Sequence, residues 1–238
     1  MRFLPRSASP AATLVLIARG LRAVVDGCIS VVLPAYLLAL GFGALQIGVL
    51  STATLLGSAL LTLAVGFLGL RGGLRTLLLA STALMIATGC GFALADGFWF
   101  LLLIAFVGTL NPSSGDVSVF LPLEQAALSG SVGDRERTAL FARYSLIGSL
   151  CGAAGTLLAT VPDQLATALQ ADPSSLFRVT FVFYAAIGLA AGLVYRRLPP
   201  DREVPRSDGR SALGPSKAIV LKLAALFSVD AFDGGLVV

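Results

Sequence analysis

Apolar positions along the chain gather into six long runs, broken by short polar or glycine-bearing stretches. The runs cover 12–40, 45–70, 74–94, 98–128, 138–161 and 177–195. At about 1.5 Å of rise per residue, each can cross a hydrocarbon core of about 30 Å as a helix. They are too long for barrel strands, which need roughly 9–11 residues of strict alternation. A helix also satisfies its own backbone groups, which lipid cannot do. The pattern predicts an all-α transmembrane chain. A further apolar run begins near position 218 and is still in progress at 238, so the sequence is expected to be a fragment ending inside a seventh helix. Between them, 199–217 is rich in Pro, Arg, Ser, Asp and Gly and cannot bury a core. The expected organisation is a six-helix bundle over 1–198, a linker over 199–217 and the start of a seventh helix over 218–238.

Basic residues give the chain an orientation. Arg2 and Arg6 precede the first run, Arg71 and Arg75 follow the second, and Arg135 and Arg137 follow the fourth. Arg196, Arg197, Arg202, Arg206, Arg210 and Lys217 follow the sixth. These segments alternate, so all fall on one side, and the positive-inside rule makes that side cytoplasmic. The N-terminus and linker are therefore expected in the cytoplasm and the protein in the cell (inner) membrane. The opposite side holds Asp96, Asp163 and Asp172, with Arg178 at its edge. The first run is too long for a cleaved secretory signal, and it contains Arg19, Arg22 and Asp26.

Composition narrows the function. The chain is 56% hydrophobic and 13% charged, with a mean hydropathy of +0.90; soluble domains carry about 25% charged residues. The net charge of +4 comes without a basic stripe interleaved with aromatics, so no nucleic-acid partner is expected. There is no histidine, which removes Ser-His-Asp and Cys-His catalysis and His-ligated metals. Cys28, Cys90 and Cys151 sit inside apolar runs without CxxC spacing and suit small buried residues. No enzyme activity, cofactor or metal is expected.

Ionisable residues inside the runs carry the chemistry, because such groups are costly in a membrane and face a cavity or a partner. Arg19, Arg22 and Asp26 share one helical face. Asp116 and Glu124 lie eight apart on the fourth run, which also contains Asn111-Pro112-Ser113-Ser114-Gly115-Asp116. Pro112 and Gly115 weaken or bend a helix there. Arg143 and Tyr144 stand near the inner end of the fifth run. Two readings stay open. In one, Asp26 and Asp116 face a central cavity, one exchanges a proton, and Arg22, Glu124, Arg143 and Asn111 line the same path. In the other, the charges form a static cytoplasmic latch, or the arginines snorkel to the interface.

Further features carry a family resemblance. Residues 26–50 read DGCISVVLPAYLLALGFGALQIGVL, and Asp26-Gly27 recurs as Asp233-Gly234 after a basic stretch, as in transporters built from repeated halves. Residues 66–75 read GFLGLRGGLR, and the fifth run carries Gly148, Gly152 and Gly155. The chain resembles the first half of a bacterial member of the major facilitator superfamily. Gly66, Leu68, Arg71, Gly73 and Arg75 match that family's loop motif G-x-L-a-D-R-x-G-R-K, with Leu70 where aspartate is usual. The glycines of the fifth run stand where antiporter members have a Gly-rich motif. The resemblance implies half of a twelve-helix fold working by alternating access, with the first and fourth helices lining the cavity and Asp230 and Asp233 as second-half counterparts. It implies secondary transport, with proton-coupled export of small organic molecules expected. Metabolite uptake or a non-transporting scaffold are the alternatives. The implied partners are the bilayer, a small-molecule substrate, a proton and the missing C-terminal half. Independently, Gly72 and Gly73 ease a tight turn, while Arg71 and Arg75 can reach helix C-terminal carbonyls or a neighbouring acid, or serve only to set topology.

Overall fold

A computed structural model describes residues 9–68, 73–110, 118–170 and 173–199, together with Lys222. The chain divides into two compact units, 1–202 and 203–238, and the described residues lie in the first apart from Lys222. The expected linker over 199–217 and seventh helix over 218–238 lie outside the described residues, save Pro199 and Lys222.

The first unit is helical: α1 (Pro10–Ala39), α2 (Ala44–Leu68), α3 (Leu74–Leu94), α4 (Phe98–Val107), α5 (Phe120–Ser129), α6 (Asp134–Leu158), α7 (Val161–Leu169) and α8 (Pro173–Tyr195). No strand occurs among the described residues. Five helical stretches, within α1, α2, α3, α6–α7 and α8, are long and apolar enough to cross a membrane. Pro10 opens α1, where its fixed φ is preorganised and no intrahelical N–H is needed. The helix ends at Gly41, whose φ of 85° favours a residue without a Cβ. There the Gly41 and Phe42 N–H groups donate to the Leu38 and Leu37 carbonyls at 2.9 and 3.1 Å.

Two runs differ from their expected form. The fourth run is not one helix, because α4 stops at Val107 after ten residues, about 15 Å and half a hydrocarbon core. Gly108 is extended, and a Cβ on it would stand 2.5 Å from the Ile104 carbonyl oxygen and 2.6 Å from the Thr88 side chain. The freed backbone finds side-chain partners. The Thr109 N–H donates to Thr88 Oγ1 at 3.3 Å, and the Thr109 carbonyl accepts from Tyr184 Oη at 3.1 Å. The break therefore comes four residues before Pro112. The second difference follows the fifth run, where part of the outer connection is the short helix α7. Its Ala166 is buried while Val161 and Leu165 remain exposed.

α1 packs against α6 and α8, α3 against α8, and α2 against α4. α1 is the most buried of the long helices, and α2 and α6 the least. Glycines set the close crossings. A Cβ on Gly155 would fall 1.9 Å from the Val24 carbonyl oxygen, one on Gly27 2.1 Å from that of Gly152, and one on Gly57 1.7 Å from that of Phe106. Such small-residue contacts let membrane helices gain van der Waals packing where water supplies no drive. Tyr36, Phe92 and Phe181 knit α1, α3 and α8, with ring centroids 5.0 and 5.2 Å apart. At one end of α3 and α8 Arg178 binds Asp96. At the other, Arg75 Nη2 donates to the Arg196 carbonyl at 2.7 Å.

Candidate functional site

Arg22 and Glu124 form the centre of a buried cluster. Arg22 lies twelve residues into α1, about 18 Å along it. Glu124 lies in α5, after the break in the fourth run. The Arg22 side chain is 1% exposed and that of Glu124 0%, and Arg22 Nη2 reaches Glu124 Oε2 at 2.5 Å. Tyr144 Oη of α6 donates to the same oxygen at 2.6 Å, and Tyr195 Oη at the end of α8 donates to Oε1. Four helices thus meet on one carboxylate. The Arg22 guanidinium lies over the Phe120 ring, 3.9 Å from its centroid; this cation–π contact helps hold a cation whose Nε has no hydrogen-bond partner among the described residues. Phe120 in turn stacks on Tyr195, 6.3 Å between centroids. A buried ion pair offsets its desolvation only when its remaining lone pairs are satisfied, and here two hydroxyls help do so.

Arg19 flanks the cluster, its guanidinium 5.0 Å from the Tyr144 ring centroid. The absence of a side chain at Gly148 makes room for it, since a Cβ there would fall 2.5 Å from Arg19 Nη2. Arg143 does not join. It makes no hydrogen bond or ion pair among the described residues, and its Nη1 is buried without a partner. Successive helical residues diverge by about 100°, so Tyr144, which points at Glu124, carries its neighbour Arg143 away.

Asp26 stands one turn beyond Arg22 and is half-buried. It lies within electrostatic reach of Arg22, Arg19, Glu124 and Tyr184, yet it carries no hydrogen bond or ion pair among the described residues. Tyr184 leads on to the α4 break, with its hydroxyl 3.1 Å from both the Thr109 hydroxyl and the Thr109 carbonyl. Ser30 turns back to its own helix, donating to the Gly27 carbonyl at 2.8 Å.

The loop motif is partly described. Gly73 precedes α3 in extended conformation, nothing crowds Gly66, and Arg75 binds the carbonyl that follows α8, one of the roles its position allowed. Arg71, Asn111, Asp116 and Asp233 lie outside the described residues. Sequence reasoning missed Tyr195 and Phe120. Their part arises only when helices distant in sequence converge, and no local pattern marks them. An open apolar groove between α2 and α4, lined by Val49, Thr52, Leu56, Trp99 and Phe106 among others, lies on other elements than these charges.

Long apolar helices and buried charges shared between them define a multi-pass membrane protein. The sequence profile of the Major Facilitator Superfamily matches residues 15–232, and the chain belongs to that family. It is also 26% identical over 167 residues to an uncharacterized membrane protein of Saccharomyces cerevisiae, covering 69% of this chain and 37% of the relative. The chain thus spans a little over a third of that relative's length, and the relative is fungal rather than bacterial.

Proposed function

We propose that the whole protein exports small organic molecules in exchange for protons by alternating access, and that Asp26 takes up and releases the proton. In this reading the six-span unit rocks against a second bundle. The observation that supports it most is the contrast within α1. Glu124 is held by an arginine and two hydroxyls, so changing its charge means dismantling contacts to three other helices. Asp26 is half-buried, near mid-span, and makes no hydrogen bond or ion pair among the described residues. A carboxyl so placed changes its proton affinity as a neighbouring guanidinium moves nearer or farther, which is the coupling an exchanger needs.

The test uses everted membrane vesicles containing the full-length protein, energised to acidify the lumen and followed with a pH-sensitive acridine dye. Tetraphenylphosphonium, chloramphenicol and benzoate are added in turn as a cation, a neutral molecule and an anion. At least one should release the quench in wild-type vesicles and fail to do so in Asp26→Asn vesicles of equal protein content. Equal responses from the two, or no response to any of the three, would overturn the reading.

A further inference from the structure

We propose that α7 is an interfacial helix. It lies along the membrane surface at the end of the unit that bears Asp96 and Arg178, with Val161 and Leu165 in lipid and Asp163 and Gln164 in water. The partner is the bilayer itself, at the boundary between headgroups and acyl chains. This placement is independent of what the protein transports.

The path of the chain sets the level. α6 has 25 residues, about 37 Å of helix, already more than a hydrocarbon core of about 30 Å. The helix then breaks. The Thr160 N–H donates to the Leu157 carbonyl at 3.4 Å, three residues back instead of four, and Pro162 has no N–H to offer Leu158. From there α7 runs on and packs against α8. Its end is as sharp, because Gln170 has a φ of 51°, which a residue with a Cβ seldom adopts outside a turn, and α8 opens at Pro173. α6 and α8 both pack on α1, so α7 travels sideways from one to the other rather than straight out. Arg178, paired with Asp96 at the edge of the unit, is about 7.5 Å along α8 from its start. The headgroup layer adds roughly 5–7 Å to each face of the core, so α7 meets α8 at headgroup level.

The sequence divides α7 into three sectors, since successive helical residues turn by about 100°. Val161 and Leu165 are about 40° apart, and both are exposed. Ala166, about 100° from Leu165, is buried. Asp163 and Gln164, on the remaining arc, are exposed. One side therefore meets protein, one is polar, and the apolar side stays uncovered among the described residues. A helix lying flat at a membrane surface needs this division, with its apolar face sunk into the acyl boundary and its polar face in water. The apolar sector also prolongs one that begins inside the membrane. Leu146, Leu150 and Leu157 of α6 are exposed, and Val161 and Leu165 extend the same line at spacings of four. α7 has no basic residue, so apolar burial and the spans at its two ends hold it in place, without help from anionic lipid.

The test places nitroxide labels on the full-length protein in phosphatidylcholine nanodiscs, its native cysteines replaced by alanine, through Val161→Cys, Asp163→Cys, Gln164→Cys and Leu165→Cys. Power saturation compares collisions with oxygen, which concentrates in lipid, and with a water-soluble nickel chelate. The oxygen-to-nickel ratio at 161 and 165 should exceed that at 163 and 164 several-fold. Leu165→Asp, added to Val161→Cys, should bring the ratio at 161 down towards that at 164. A second measurement keeps the native cysteines: p-benzoylphenylalanine in place of Leu165 should crosslink to lipid on irradiation. Equal ratios at all four positions would put α7 in water and overturn the proposal. So would few collisions with either reagent at 161 and 165 together with crosslinks to protein alone, which would put the second bundle or another copy of the chain over that face.

Discussion

Arg22 and Asp26 lie one turn apart on α1, in the same helix and at nearly the same depth, and the fold surrounds them in opposite ways. Arg22 is closed in: an acid at 2.5 Å, two tyrosine hydroxyls on that acid and an aromatic face beneath the guanidinium. Asp26 is half-buried and has no committed partner among the described residues. The first arrangement suits a joint between helices and the second a group that must change state. Buried charge alone therefore does not mark a working residue; what distinguishes the two is how much of the surrounding structure depends on one charge state.

That comparison can be broken by mutation. Glu124→Ala should have the largest effect, because it leaves Arg22 buried and unpaired; a loss of about 3–5 kcal/mol is expected, visible as failure to accumulate folded protein in the membrane. Gly155→Val comes next. Its side chain would press on the Val24 carbonyl, and overpacking of this kind costs about 1–3 kcal/mol or more, read as a lowered melting temperature in detergent. Tyr195→Phe removes one hydroxyl from Glu124 and should cost about 1–2 kcal/mol, with α8 the first helix to gain amide exchange. Arg178→Ala breaks a partly exposed pair, whose side chains are 34% and 58% exposed, and should cost about 1 kcal/mol or less, diminishing in high salt. Asp26→Asn should move the melting temperature least while removing transport. Were Asp26→Asn to unfold the protein as Glu124→Ala does, the distinction between joint and working group would fail.

The spans of α1, α2, α3 and α8 were legible because stretches of about twenty predominantly apolar residues have few other solutions in water or lipid. Arg75 was legible for a similar reason, since a basic residue at a membrane surface close to helix ends has carbonyls to bind, and Arg196 offers one. Arg22 and Glu124 stood out as ionisable groups inside apolar runs, but no pattern named them as partners. The break in the fourth run begins at Gly108, while the bend expected at Pro112 and Gly115 lies outside the described residues. Pro112 and Gly115 draw attention, whereas Gly108 ends α4 because Thr88 and Tyr184, 21 and 75 residues away from Thr109, take over its backbone bonds. α7 was hidden for a different reason: nine residues of mixed character look like a loop until Ala166 finds a surface to bury against. Tyr195 contributes to the cluster through one oxygen, and its local sequence says only that a helix is ending.

The wide sequence separation of the cluster has a consequence for biogenesis. Arg22 emerges from the ribosome 102 residues ahead of Glu124, and Glu124 another 71 ahead of Tyr195. The first span therefore enters the bilayer carrying a cation whose counter-ion has not yet been made. Until α5 arrives, that guanidinium has to be sheltered at the headgroups or by the insertion machinery. A ribosome pausing within this interval would prolong the chain's exposure to quality control.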